Sequence, residues 1–110
     1  MCQRTIERAQ RFKRDLKKLR RHRGLSSKVQ DILSGLATDI IPDGDQFPGL
    51  GERPVFKIRC GTENMGRRKG ARIIYYKDDL KLVALCIYLK NDRDNVPGKE
   101  IMAVLEKYVL

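Results

Sequence analysis

The chain has 110 residues, enough for one compact domain with a buried core and too few for two. Its 24 Lys and Arg outweigh 14 Asp and Glu, and the formal charge of +10 points to a polyanionic partner: nucleic acid first, an acidic protein or anionic membrane surface behind it. No apolar run approaches the roughly 20 residues that span a bilayer, and the basic N-terminus lacks the apolar segment of a secretory signal, so a cytoplasmic location is expected.

Residues 4 to 8, RTIER, suggest a short edge strand. Over residues 9 to 22, Phe12, Leu16 and Leu19 fall at i, i+4 and i+7 among Lys and Arg, which predicts a helix with one narrow apolar stripe. Gly24 is expected to stop it. Ser26 or Ser27 then offers an N-cap oxygen to a second helix, whose broader stripe comprises Val29, Ile32, Leu33, Leu36, Ala37 and Ile40. The two helices form a hairpin suited to cover a sheet. Residues 41 to 54, IPDGDQFPGLGERP, exclude a long regular element; Pro42 ends the second helix, while Phe47 and Leu50 pin the connector to the core.

Three strands follow: VFKIRC, ARIIYYK and KLVALCIYLK, rich in β-branched, aromatic and aliphatic residues. They predict an antiparallel meander in which GTENMGRRKG is a long basic loop and the Lys77 to Lys81 segment a tight connection. Period-two alternation sends Val55, Lys57 and Arg59 to one side, and Arg72, Ile74 and Tyr76 away from Ala71, Ile73 and Tyr75. In the third strand it separates a row of Val83, Leu85, Ile87 and Leu89 from Leu82, Ala84, Cys86, Tyr88 and Lys90. One face is thus expected to meet the helices, and the other to gather Lys57, Arg59, Arg72, Tyr88 and Lys90 into a positive concavity. Pro97 fits the first turn of a terminal helix containing Ile101, Val104, Leu105 and Tyr108. The fold class is α+β, with a sheet of about four strands packed on the helical hairpin and a C-terminal helix closing one domain over 1–110.

Cys2, Cys60 and Cys86 are odd in number and lack metal-site spacing, so reduced thiols are expected, with no disulfide framework, zinc site or cofactor.

Several of these stretches resemble the RelE superfamily of toxins from type II toxin–antitoxin systems, in its HigB/RelE branch. FKRDLKKL is similar to the family's first helix, and PGLGERPVFKIRCG to the lead-in to its first central strand. GRRKGARIIYY resembles its basic loop and following strand, and IYLKNDRDNV the segment before its last helix. The resemblance covers most of the chain and is most specific at GARIIYY followed by IYLKN. It implies a microbial RNase fold, a concave sheet face that holds the scissile phosphate of mRNA, action on the ribosome, and silencing by a cognate antitoxin of helix-turn-helix type. Transferred to this chain, the catalytic positions are Lys57, Arg59, Arg72 and Lys90, with Asn91 beside them on the RNA.

RNA supplies its own nucleophile, so a protein needs a base, an acid and cations. Arg59 and Arg72 suit the charge that develops on the phosphate oxygens. Lys57 is the first choice to accept the 2′ proton because crowded cations disfavour its charged form, with Tyr88 second; Lys90 or Arg72 supports the leaving group. Arg67, Arg68 and Lys69 are expected on the phosphate backbone, and Tyr76 is expected to stack a base while Tyr75 packs in the core. His22, in RRHRG, is expected to be a solvated surface residue. Eleven cations against two acids in the first thirty residues favour a partner-binding role for the first helix, toward the ribosome or an antitoxin, over a merely solvated face. A second class of function is a ParE-like gyrase poison, or a binder of nucleic acid without catalysis; the cation set Lys57, Arg59, Arg72 and Lys90 weighs against it.

Overall fold

Two neighbouring runs of β-forming residues, ARIIYYK and KLVALCIYL, bury both of their faces, and the remaining elements are arranged to cover them. The computed structural model describes residues 4–61, 70–90 and 96–109. Its elements are β1 (Thr5–Arg8), α1 (Gln10–Lys18), α2 (Leu25–Ala37), β2 (Asp45–Gln46), β3 (Val55–Cys60), β4 (Ala71–Lys77), β5 (Lys81–Leu89) and α3 (Gly98–Val109). The strands form one sheet in the order β1-β5-β4-β3-β2, with β1 parallel to β5 and the other pairs antiparallel. The α+β fold, the central meander, the edge strand near residue 5 and the terminal helix stand as expected. A fifth strand is added by β2, inside the connector. No helix among the described residues is long and apolar enough to cross a membrane.

The helical hairpin covers one face. Phe12 and Leu19 with Leu25, Val29, Leu33 and Leu36 pack on Ala71, Ile73, Tyr75, Leu82, Ala84, Ile87 and Leu89. Its boundaries differ from those in the sequence reading. α1 stops at Lys18, and Gly24, with φ of 81°, sits at the start of α2, so Ser26 and Ser27 lie inside the helix and cap nothing. α2 ends at Ala37, well before Pro42: Asp39 takes a left-handed conformation (φ 62°) and turns the chain away. Ile40, placed in the apolar stripe by its spacing, is therefore 80% exposed.

The other face carries a second core. Val55, Ile74, Tyr76, Val83 and Leu85 pack with Phe47 and Leu50 of the connector and with Ile101 and Leu105 of α3. A β-bulge builds this arrangement. Ile74 pairs with Cys86 but Tyr75 with Ala84, so Leu85 is an extra residue in β5. Inserting one residue inverts the alternation beyond it. The expected row of Val83, Leu85, Ile87 and Leu89 is consequently split: Val83 and Leu85 face α3, whereas Ile87 and Leu89 face the hairpin.

A polar cluster closes one end of the sheet. The Lys77 ammonium, its side chain only 6% exposed, pairs with Asp39 at 2.7 Å and Asp43 at 3.1 Å. The Tyr75 hydroxyl donates to the Asp43 carboxylate (3.0 Å) and accepts the Gly44 N–H (3.0 Å). Arg4 adds a bond to Asp39 (2.9 Å) and another to the Asp78 carbonyl. These bonds tie β1, the end of α2, the connector and β4 together. Replacing Asp43 with Ala leaves the buried Tyr75 hydroxyl without its acceptor and is expected to cost about 2 kcal/mol, measured by urea unfolding.

Candidate functional site

Residues directly opposed across antiparallel strands project from the same face. The register therefore builds two adjacent rows, Arg59–Arg72–Tyr88 and Asp45–Lys57–Ile74–Cys86. Both lie on the face that α3 and the connector cover further along, where Val55, Tyr76 and Val83 continue into the second core. The bulge falls beyond these rows, so the alternation that places Lys57, Arg59, Arg72 and Tyr88 together is undisturbed.

Arg72 is the least ordinary of them. It is 8% exposed, and its guanidinium donates only to backbone carbonyls, Gly70 at 3.3 Å and Ala71 at 3.2 Å. No carboxylate forms a salt bridge with it among the described residues. Directly opposite stands a second arginine, Arg59. Burial, and then the charge of Arg59, lower the Arg72 pKa. Like charges facing each other across strands are unfavourable. Lys57, half-buried, occupies the next row. Lys90 is exposed, and its N–H donates to the Gly70 carbonyl (3.3 Å), which places it beside the start of β4.

The proposed RNA contacts divide. Arg67, Arg68, Lys69 and Asn91 lie outside the described residues. Tyr88 is in the arginine row but is buried in the second core, so like Tyr76 its ring does not present a face for a base. Tyr76 is not available to stack a base: it is buried in the second core, its hydroxyl donates to Asp78 (2.7 Å), and burial pushes its pKa up to about 12. His22 is half-buried and its Nε2 is sealed from solvent, in contrast to the solvated residue expected. Cys60 and Cys86 are buried in different cores, and burial raises the Cys60 thiol to about 11, so it stays protonated at neutral pH.

Two acidic residues near these rows went unnoticed in the sequence. Asp45, alone with Gln46 in β2, is directly opposed to Lys57. A strand of two residues has no periodicity to detect, and the only signal was the turn residues flanking it. Asp15 of α1 borders a cavity of about 240 Å³ that also involves Arg11, Lys18, Cys86, Tyr88 and Val96. Its Oδ2 accepts the Ile87 N–H at 3.4 Å. Burial raises the Asp15 pKa despite this bond and the nearby Arg11.

The sign for stability follows from that direction. The folded carboxyl holds its proton to higher pH than the unfolded one, which titrates near about 3.9. Asp15 therefore opposes folding above its raised pKa, and the penalty fades as pH falls through that value. Asp15→Asn, which keeps an acceptor for Ile87, is expected to stabilise the protein at pH 7 by under about 1 kcal/mol, allowing for solvent screening. Thermal melts of both forms should converge at acid pH.

The fold is shared with solved toxin structures. A chain of the E. coli DinJ–YafQ toxin–antitoxin complex superposes with a TM-score of 0.59 at 15% identity, covering 84% of this chain and 99% of that one. A double-mutant form of E. coli toxin RelE in the free state gives 0.57 at 13% identity, covering 97% and 98%. No protein-family model and no curated protein matches the sequence. The RelE-like architecture implied by the sequence resemblance is thus the architecture of the chain.

Proposed function

We propose that this protein is the toxin of a type II toxin–antitoxin system, of the HigB/RelE kind, and that it cleaves mRNA on the ribosome by metal-independent attack of the 2′-hydroxyl. The observation that carries this reading is the buried Arg72 guanidinium, opposed by Arg59 and lacking a carboxylate partner among the described residues. Buried charges are normally paired. A phosphodiester supplies the missing anion and accepts bidentate bonds from both guanidinium groups.

In this scheme Arg59 and Arg72 stabilise the charge that grows on the phosphate oxygens in the in-line transition state. Lys57, one row away, holds the same phosphate, and Lys90 protects the leaving 5′-oxygen. Asn91 contacts the nucleotides, while Arg67, Arg68 and Lys69 follow the RNA backbone with the salt dependence of phosphate binding. The exposed cations of α1 add a second surface for the ribosome or for the antitoxin. The toxin–antitoxin complex among the structural neighbours supports a cognate antitoxin as partner, here expected to be a helix-turn-helix protein.

Induction in growing cells followed by primer extension tests the scheme. New transcript 5′ ends with loss of translation are expected from the wild type. Arg72→Ala and Lys57→Ala should each lower cleavage about 10²- to 10³-fold at equal expression, the loss typical of removing one preorganised charge donor. Intact message with DNA damage would instead establish the gyrase-directed alternative.

A further inference from the structure

Asp45 has been given no part so far, yet its position is held with care. Gly44, immediately before it, packs so closely on the Lys57 carbonyl that any Cβ would collide with that backbone. The Gly44 N–H is fixed by the buried Tyr75 hydroxyl, and on the other side the Phe47 N–H donates to the Val55 carbonyl at 2.8 Å. These contacts lock the register in which Asp45 faces Lys57. Directly opposed Cβ atoms lie about 5 Å apart, and Arg59, two residues along β3, is a diagonal neighbour.

Despite this company, the Asp45 carboxylate makes no salt bridge or side-chain hydrogen bond among the described residues, and it is exposed. It is thus an uncommitted carboxylate at the rim of the cation rows. Its presence also changes what Lys57 does. A lysine in water at pH 7 is unprotonated in roughly one molecule in 2,500. Crowded cations were the reason to look to Lys57 as the base; a carboxylate directly opposite is a proton acceptor that needs no such perturbation.

We propose that Asp45 is the general base of the cleavage, with Lys57 a phosphate-holding group. The inference rests on the endoribonuclease reading. An Asp45 oxygen takes the proton of the 2′-hydroxyl as the 2′-oxygen forms its bond to phosphorus. The bond from phosphorus to the 5′-oxygen breaks, its electron pair stays on that oxygen, and the Lys90 ammonium supplies the proton. The products are a 2′,3′-cyclic phosphate and a 5′-hydroxyl, and Asp45 and Lys90 then exchange protons with solvent. Asp45 on the edge strand β2 and Lys90 at the end of β5 lie on opposite sides of the Arg59–Arg72 pair, as in-line displacement requires of a base and an acid.

The test compares wild type, Asp45→Asn and Asp45→Glu of the full chain in single-turnover cleavage of a defined mRNA on purified ribosomes, from pH 4.5 to 8. Binding of a non-cleavable 2′-deoxy version is measured in parallel. Asp45→Asn should slow cleavage about 10²- to 10⁴-fold, the usual contribution of a general base. It should also abolish the fall in rate toward acid pH and leave binding unchanged or tighter, while Asp45→Glu recovers part of the rate. An Asn variant that cuts at the wild-type rate with the same acid limb overturns the assignment. So does one whose binding falls in step with its rate, which would mark a structural role. If the wild type itself leaves the mRNA uncut, the endoribonuclease reading fails and the assignment falls with it.

Discussion

Two arginines stand face to face on neighbouring strands, and the rest of the fold keeps them there. Arg59 and Arg72 repel one another, and Arg72 is also largely removed from water. Left to themselves, such side chains would swing apart into solvent. The backbones of β3 and β4 are fixed by apolar residues on both sides of the sheet, so Arg72 stays buried while the exposed Arg59 reaches solvent. Slipping the register by one residue would bury Lys57, Arg59 and Arg72 beneath the hairpin and expose Ile73 and Tyr75. The hydrophobic pattern thus stabilises an electrostatically costly arrangement.

The two ends of the α3-side face have opposite characters. At one end, the connector and α3 seal Val55, Tyr76, Val83 and Leu85 into a second core. Nearby, the Lys77 ammonium is neutralised by Asp39 and Asp43. At the other end Arg72 has no such partner among the described residues. The two buried cations of one strand, five residues apart, thus differ in whether a carboxylate pairs with them. In β4 the paired lysine closes the fold, and the arginine without a carboxylate partner among the described residues is the group on which the proposed function rests.

The same connector joins these ends. Tyr75 reaches from the hairpin side to hold Asp43 and Gly44, and Gly44 in turn seats β2 against the Lys57 backbone. Stability at the closed end is therefore linked mechanically to the placement of side chains in the cation rows. Asp45, proposed as the proton acceptor, is carried by this link and not by any side-chain bond of its own.

Much of this was visible in one dimension. Strict alternation in VFKIRC and ARIIYYK put Lys57, Arg59 and Arg72 on one face, because a β-strand has only two sides and a register slip there carries a heavy penalty. Helical spacing located both hairpin helices and α3, since an apolar stripe must be buried. What local pattern could not hold was anything set by an encounter between distant segments. The bulge at Leu85 is invisible in KLVALCIYLK, where every residue but the terminal lysines is apolar or aromatic and either phase reads equally well. Tyr76 looked free to stack a base until α3 and the connector settled over its side of the sheet. Asp45 gained a neighbour only when Gly44 docked on Lys57, a contact between residues thirteen positions apart that no periodicity encodes. Alternation assigns a side chain to a face, but what lies across from it or above it depends on which other piece of chain comes to rest there.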